Sequence, residues 1–207
     1  MSVLSEILRH KIIAIIRGAK PNDVVNISAA LYEGGIRLME VTLNSENALE
    51  VIKQLCNRMN GKMYIGAGTV LNADDTEKAI DAGAQFIISP CLNIDVIAAT
   101  KRRGALSIPG AFTPTEIVNA YNGGADIIKV FPASGNINYI KEVRAPLPHI
   151  PLMPTGGINL QNIKEFHKAG AVAFGIGTSL VDTKKEITEE YLVQLITTAK
   201  QLVQAIA

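Results

Sequence analysis

"ADIIKVFP" (125–132) puts a lysine inside a run that otherwise reads as a buried β-strand. Burying an ammonium without a partner costs several kcal/mol, so such a lysine is normally moved out, paired or made neutral. Side chains alternate along a strand, which places Ile127, Lys129 and Phe131 on one face and Asp126, Ile128 and Val130 on the other. Both faces of a parallel strand in an α/β protein are covered, leaving Lys129 no short route to bulk water. The reading that follows is a nucleophilic lysine on an interior strand.

The rest of the chain repeats the same unit. "IIAIIR" (12–17) precedes a helix that starts after Pro21–Asn22–Asp23 and stops at Gly34–Gly35. "RLMEVTL" (37–43) leads to a helix over 46–59, "MYIGAG" (63–68) to one over 73–82, and "QFIISP" (85–90) to one over 93–103. Four further strands are "ALSIPG" (105–110), the opening stretch at 125–132, "IPLMPTG" (150–156) and "AVAFGIG" (171–177), each expected to be followed by a helix. Eight βα units in order predict a closed parallel barrel, where an open doubly wound sheet would have fewer strands and one dominant Gly-rich turn. The expected fold is α/β, a single-domain (β/α)8 TIM barrel spanning residues 1–207. The recurrent "GA" before strands marks helix C-caps and carries no chemistry.

Composition narrows the function classes. With 48% hydrophobic and 19% charged residues, the chain has the make-up of a globular domain rather than a disordered one. A net charge of +1 gives no general electrostatic case for nucleic acid or an anionic membrane, so any anion must be bound locally. Runs such as "IIAII" (12–16) are too short to span a bilayer, and "MSVLSEILRHK" (1–11) lacks the order of a signal peptide; the expected location is cytoplasmic. Cys56 and Cys91 are read as reduced thiols, and Cys91, which follows Pro90, as a small packing residue.

In a parallel barrel, reacting groups come from the C-terminal ends of the strands. Parity puts Glu40 on a face with Leu38 and Thr42, and Arg17 on a face with Ile13 and Ile15, so three charges, Lys129 included, are expected to converge at the barrel mouth. Desolvation and a neighbouring cation both lower a lysine pKa, producing a free amine that attacks a carbonyl. Arg17 supplies the cation, and Glu40 is a carboxylate able to shuttle the proton of a hydroxyl being cleaved or formed. The alternative is a buried Arg17–Glu40–Lys129 ion network that only fixes packing.

"PTGGIN" (154–159) and "GIGTSL" (175–180) close the seventh and eighth strands, where this architecture usually holds phosphate. Gly156, Gly157 and the amide or hydroxyl of Ser179 are the candidates, although glycines also make ordinary strand-to-helix turns. "GAGTV" (66–70) is another nest, and its Thr69 is read as lining the pocket. His10, His149 and His167 form no HxH or HxxxH pair, so no metal site is expected. Phe131 is a pocket-lining candidate that also fits as barrel filling.

"IIRG", "GIRLMEVTLNS", "GAGTVL", "GAQFIISP", "IPGAFTPTE", "IIKVFPA", "PTGGIN" and "GIGTSL" together resemble the 2-keto-3-deoxy-6-phosphogluconate (KDPG) and 4-hydroxy-2-oxoglutarate (KHG) aldolase family over nearly the full length. The resemblance implies a class I, Schiff-base aldolase without a cofactor or metal. Such an enzyme cleaves KDPG to pyruvate and glyceraldehyde 3-phosphate, the Entner–Doudoroff reaction, with KHG as a possible further substrate. It implies Lys129 as the Schiff-base residue and Glu40 as acid and base through a water. Arg17 and Thr69 would position the pyruvyl carboxylate, with Pro90 and Phe131 around it, and Gly156, Gly157 and Ser179 would hold the phosphate. It also implies a homotrimer. Asn44 in "VTLNS" stands where some relatives have arginine, which shifts carboxylate binding towards Arg17. The "LNS" stretch looks like that of the aldolases acting on the galactonate epimer, whereas Thr155 looks like the gluconate branch, where a hydroxyl here contacts a substrate hydroxyl. The alternatives are the galactonate aldolase, a phosphate-binding barrel isomerase or epimerase in which Lys129 is only electrostatic, and a non-catalytic sugar-phosphate sensor.

Overall fold

The structure is a computed structural model that describes residues 2–134 and 136–207. Its strands are β1 Ile12–Ile16, β2 Leu38–Thr42, β3 Tyr64–Gly68, β4 Phe86–Ile88, β5 Leu106–Ile108, β6 Gly110–Ala111, β7 Ile128–Val130, β8 Leu152–Pro154 and β9 Phe174–Ile176. Its helices are α1 Val3–His10, α2 Pro21–Glu33, α3 Ala48–Arg58, α4 Ala73–Asp81, α5 Ile94–Arg102, α6 Pro114–Asn122, α7 Ile137–Arg144, α8 Ile163–Lys168 and α9 Glu189–Ala205. Every strand pair in the two sheets is parallel.

One sheet runs β5-β4-β3-β2-β1-β9 and curls as a half-barrel; the other runs β6-β7-β8. The predicted strand 105–110 is therefore two strands, because Pro109 has no N–H to continue the ladder. Its carbonyl still accepts the Lys129 amide at 2.9 Å, and a parallel bridge between Thr155 and Gly175 links the second sheet to β9. Most predicted strands run one to three residues too long at an end. Beyond the ladders the pairing continues as loop hydrogen bonds, such as Ala133 N–H to the Thr155 carbonyl at 2.8 Å.

Alternation sorts the core into two apolar layers. Ile13, Leu38, Phe86, Ile108, Ile127 and Met153 pack inside the curl, while Ala14, Met39, Val41, Ile65, Ile128 and Val130 face the helices. Helix α1, absent from the sequence reading, begins where Ser2 Oγ accepts the Ser5 amide at 3.2 Å. It inserts fully buried Ile7 into the interior layer, among residues at the N-terminal ends of the strands. Polar groups gather at the opposite end.

Candidate active site

A cavity of about 650 Å³ opens at the C-terminal ends of β1, β7, β8 and β9, within the size range of small-molecule sites. Arg17, Lys129, Phe131, Thr155, Gly156, Gly157 and Ser179 line it, so seven of the ten candidate residues meet at one cavity. Glu40, 1% exposed, does not line the cavity, and neither do Thr69 and Pro90, which follow β3 and precede α5. Thr69 has a φ of +56°, rare for a β-branched residue, and this turn ends β3.

Lys129 is 3% exposed. Its ammonium nitrogen lies 4.9 Å from the centre of the Phe131 ring, and among the described residues no carboxylate oxygen approaches within 4.0 Å. Burial pushes its pKa below the ordinary lysine value, Arg17 pushes it the same way, and Glu40 opposes them. Burial raises the Glu40 carboxyl, against the pull of Lys129 and Arg17, and Glu40 Oε2 has no hydrogen-bond partner among the described residues. Burial thus disfavours the charged form of both groups, while their mutual attraction opposes it, and no Glu40–Lys129 contact within 4.0 Å is present among the described residues.

Glycines make the room for this pair. In the β2–β3 register Thr42 faces Gly68, and a Cβ at Gly68 would collide with the Glu40 carboxylate. A Gly68→Ala variant is expected to displace Glu40 and lower kcat on the order of 100-fold, the usual scale of a 1 Å misplacement. Steady-state kinetics alongside a melting curve check it; wild-type kcat would mean that Glu40 needs no fixed position. Gly175 likewise leaves space for Thr155 Oγ1, a buried hydroxyl oxygen with no partner among the described residues.

Backbone groups supply much of the cavity lining around the glycine pair. Gly156 and Gly157 have φ of +95° and +74°, a conformation glycine adopts without strain, and the Asn162 side chain donates to the Gly157 carbonyl at 2.8 Å. Among the described residues the amides of Gly157, Thr178 and Ser179 donate to no acceptor. The Ser179 hydroxyl donates to the Ile158 carbonyl, so its amide, not its hydroxyl proton, is free for an anion. Such a cluster of open amides suits a phosphate.

Cys91 is exposed, which corrects its reading as a packing residue: β4 ends at Ile88 and the chain has already turned outward. His10 lies 3.3 Å from Glu6, His167 lies 3.3 Å from Lys11, and His149 meets the edge of Tyr121; none lines the cavity. Sequence reasoning missed Ser45, whose hydroxyl oxygen accepts the Gly18 amide at 2.9 Å and lies 3.0 Å from Thr42 Oγ1, pinning the turn after Arg17. It also missed Asp182, Thr183 and Lys184 in the loop after β9. Their polar run "VDTKK" (181–185) has no periodicity to mark it.

A family model described as "KDPG and KHG aldolase" matches residues 3–197. A 2-dehydro-3-deoxy-phosphogluconate aldolase of Treponema pallidum is 34% identical over 80% of this chain and 80% of its own. A probable 2-dehydro-3-deoxy-6-phosphogalactonate aldolase of Rhizobium meliloti is 34% identical over 84% of this chain and 82% of its own. Among solved structures, a KDPG aldolase from Legionella pneumophila, with pyruvate captured as a covalent carbinolamine, superposes with a TM-score of 0.81 at 26% identity, covering 99% of this chain and 97% of that one. With its buried lysine, glycine-built cavity and this likeness in sequence and fold, the chain belongs to the KDPG and KHG aldolase family of carbon–carbon lyases.

Proposed function

We propose that the protein is a class I aldolase that cleaves KDPG to pyruvate and glyceraldehyde 3-phosphate. The observation that carries this reading is Lys129: a buried amine, pushed towards neutrality, at the wall of a cavity whose other end offers open amides. The neutral amine attacks C2 of the substrate, and loss of water from the carbinolamine leaves a protonated imine. Glu40, whose carboxyl burial pushes upward, in its acid form supplies a proton for that loss and becomes the carboxylate. The carboxylate, directly or through a water, takes the proton of the C4 hydroxyl. The C3–C4 electron pair flows into the iminium, glyceraldehyde 3-phosphate leaves, and the enamine is protonated at C3. Hydrolysis then frees pyruvate and the amine.

Arg17 receives the pyruvyl carboxylate beside Phe131, with Thr69 and Pro90 assigned to that end on family grounds, from outside the cavity lining. Gly156, Gly157 and the Ser179 amide take the phosphate, and the unpartnered Thr155 hydroxyl meets a substrate hydroxyl. The two sheets read as one closed (β/α)8 barrel, supported by the Thr155–Gly175 bridge and the chain's passage from β5 to β6 through Pro109. A cytoplasmic homotrimer is the assembly we favour on family grounds.

The galactonate epimer is the second reading, favoured by the Rhizobium relative. A pyruvate-release assay with each C4 epimer tests both: a higher kcat/KM for the gluconate epimer is expected, and release from neither contradicts the proposal. The pH profile adds a test of Arg17. Its charge lowers the Lys129 pKa, so Arg17→Ala raises it. Because the reactive form is the neutral amine, the acidic limb of kcat/KM moves to higher pH, and KM rises about tenfold with the lost carboxylate contact. An unmoved limb places Arg17 outside the lysine's field.

A further inference from the structure

We infer that Lys184 is a phosphate-binding residue that sets the preference for phosphorylated over unphosphorylated substrates. The inference rests on the aldolase reading and extends its anion site beyond Gly156, Gly157 and Ser179. Lys184 lies in the loop between β9 and α9, and it lines the same cavity as the glycine pair and Ser179.

The loop is fixed at three points. The Thr183 hydroxyl donates to the Arg17 carbonyl at 2.6 Å, tying it to the end of β1. The Asp182 amide donates to the Tyr191 hydroxyl oxygen at 2.8 Å, tying it to α9. The Lys184 amide donates to Asp182 Oδ1 at 3.2 Å, turning the chain between them. The loop backbone is thus held at the cavity, while the Lys184 side chain is exposed, and among the described residues its ammonium has no carboxylate within 4.0 Å and no hydrogen-bond acceptor.

Charge gives that ammonium a purpose. Asp182 also lines this end of the cavity, and a carboxylate there opposes a phosphate dianion. The open amides of Gly157, Thr178 and Ser179 offer only partial charges. Lys184 restores a positive field with a flexible point charge, the kind suited to phosphate. A substrate ending in a carboxylate, such as KHG, does not reach as far or carry as much charge.

The test compares wild type with Lys184→Met and Lys184→Arg. Isothermal titration with glycerol 3-phosphate reads the anion site alone, and kcat/KM for KDPG against KHG reads the preference. For Lys184→Met we expect about tenfold weaker binding of the phosphate ester and a similar fall in the KDPG-to-KHG ratio. The salt dependence of binding should flatten, and Lys184→Arg should recover most of the loss. Equal binding by wild type and Lys184→Met overturns the inference, as does no binding by either or an unchanged ratio. Borohydride trapping of pyruvate on wild-type Lys129 needs no phosphate. Its success with an unchanged Lys184→Met sinks this inference alone, whereas its failure sinks the aldolase reading itself.

Discussion

Lys129→Met is expected to eliminate aldol turnover while raising thermal stability at neutral pH. Methionine keeps the length of the lysine stem without the amine, so no imine forms and kcat falls to background, a loss of at least about 10⁴-fold. The stability gain follows from burial. Lys129 has a folded pKa below its unfolded value of about 10.4, so the folded state binds fewer protons than the unfolded chain between those two values. Its contribution to stability is intact above the unfolded pKa and is lost as pH falls through the folded one. At pH 7 the methionine variant escapes that loss, on the order of 1–4 kcal/mol from comparable buried-charge replacements. Its advantage should shrink as pH rises towards 10. A packing network of Arg17, Glu40 and Lys129 predicts the reverse, a loss of about 3–5 kcal/mol when one partner is removed. Thermal melts at two pH values separate these outcomes.

Glu40→Gln is the second large effect. The amide keeps the shape of the carboxyl beside Gly68 but cannot accept the C4 hydroxyl proton. Pyruvate should still be trapped on the lysine, whereas kcat for cleavage should fall about 10²–10⁴-fold, the usual worth of a positioned acid or base. The sign of the stability change is set by the raised pKa of Glu40. Its contribution is full below the unfolded pKa of about 4.3 and is lost as pH rises through the folded value, so the glutamine variant gains relative stability with pH across that window. A variant that turns over and titrates like wild type would falsify the proton-transfer role and make Glu40 structural.

The convergence of Arg17, Glu40 and Lys129 was legible because strand parity is strict: one face of "RLMEVTL" and one of "ADIIKVFP" must point inward together. The glycine pair after β8 was legible because φ near +90° leaves few other residues possible. The division at Pro109 was written in the sequence, since proline cannot donate to a ladder, yet apolar neighbours on both sides made one strand the simpler reading. Helix α1 was available in Ser2 and the Val3, Leu4, Ile7 spacing but hidden by its place at the start of the chain. Ser45, Asp182, Thr183 and Lys184 were not legible at all. Each acts through a partner from another segment or through a loop without period, and only tertiary structure brings Ser45 to Gly18 or Thr183 to Arg17.

Lys129, as an imine-forming nucleophile, should be trapped in the act. Borohydride reduction of the folded protein saturated with pyruvate, followed by peptide mass spectrometry, tests it most directly. A stable pyruvyl adduct is expected on Lys129 and on no other lysine. Folded, pyruvate-saturated protein without an adduct there would contradict it, and the buried amine would then serve only as a charge.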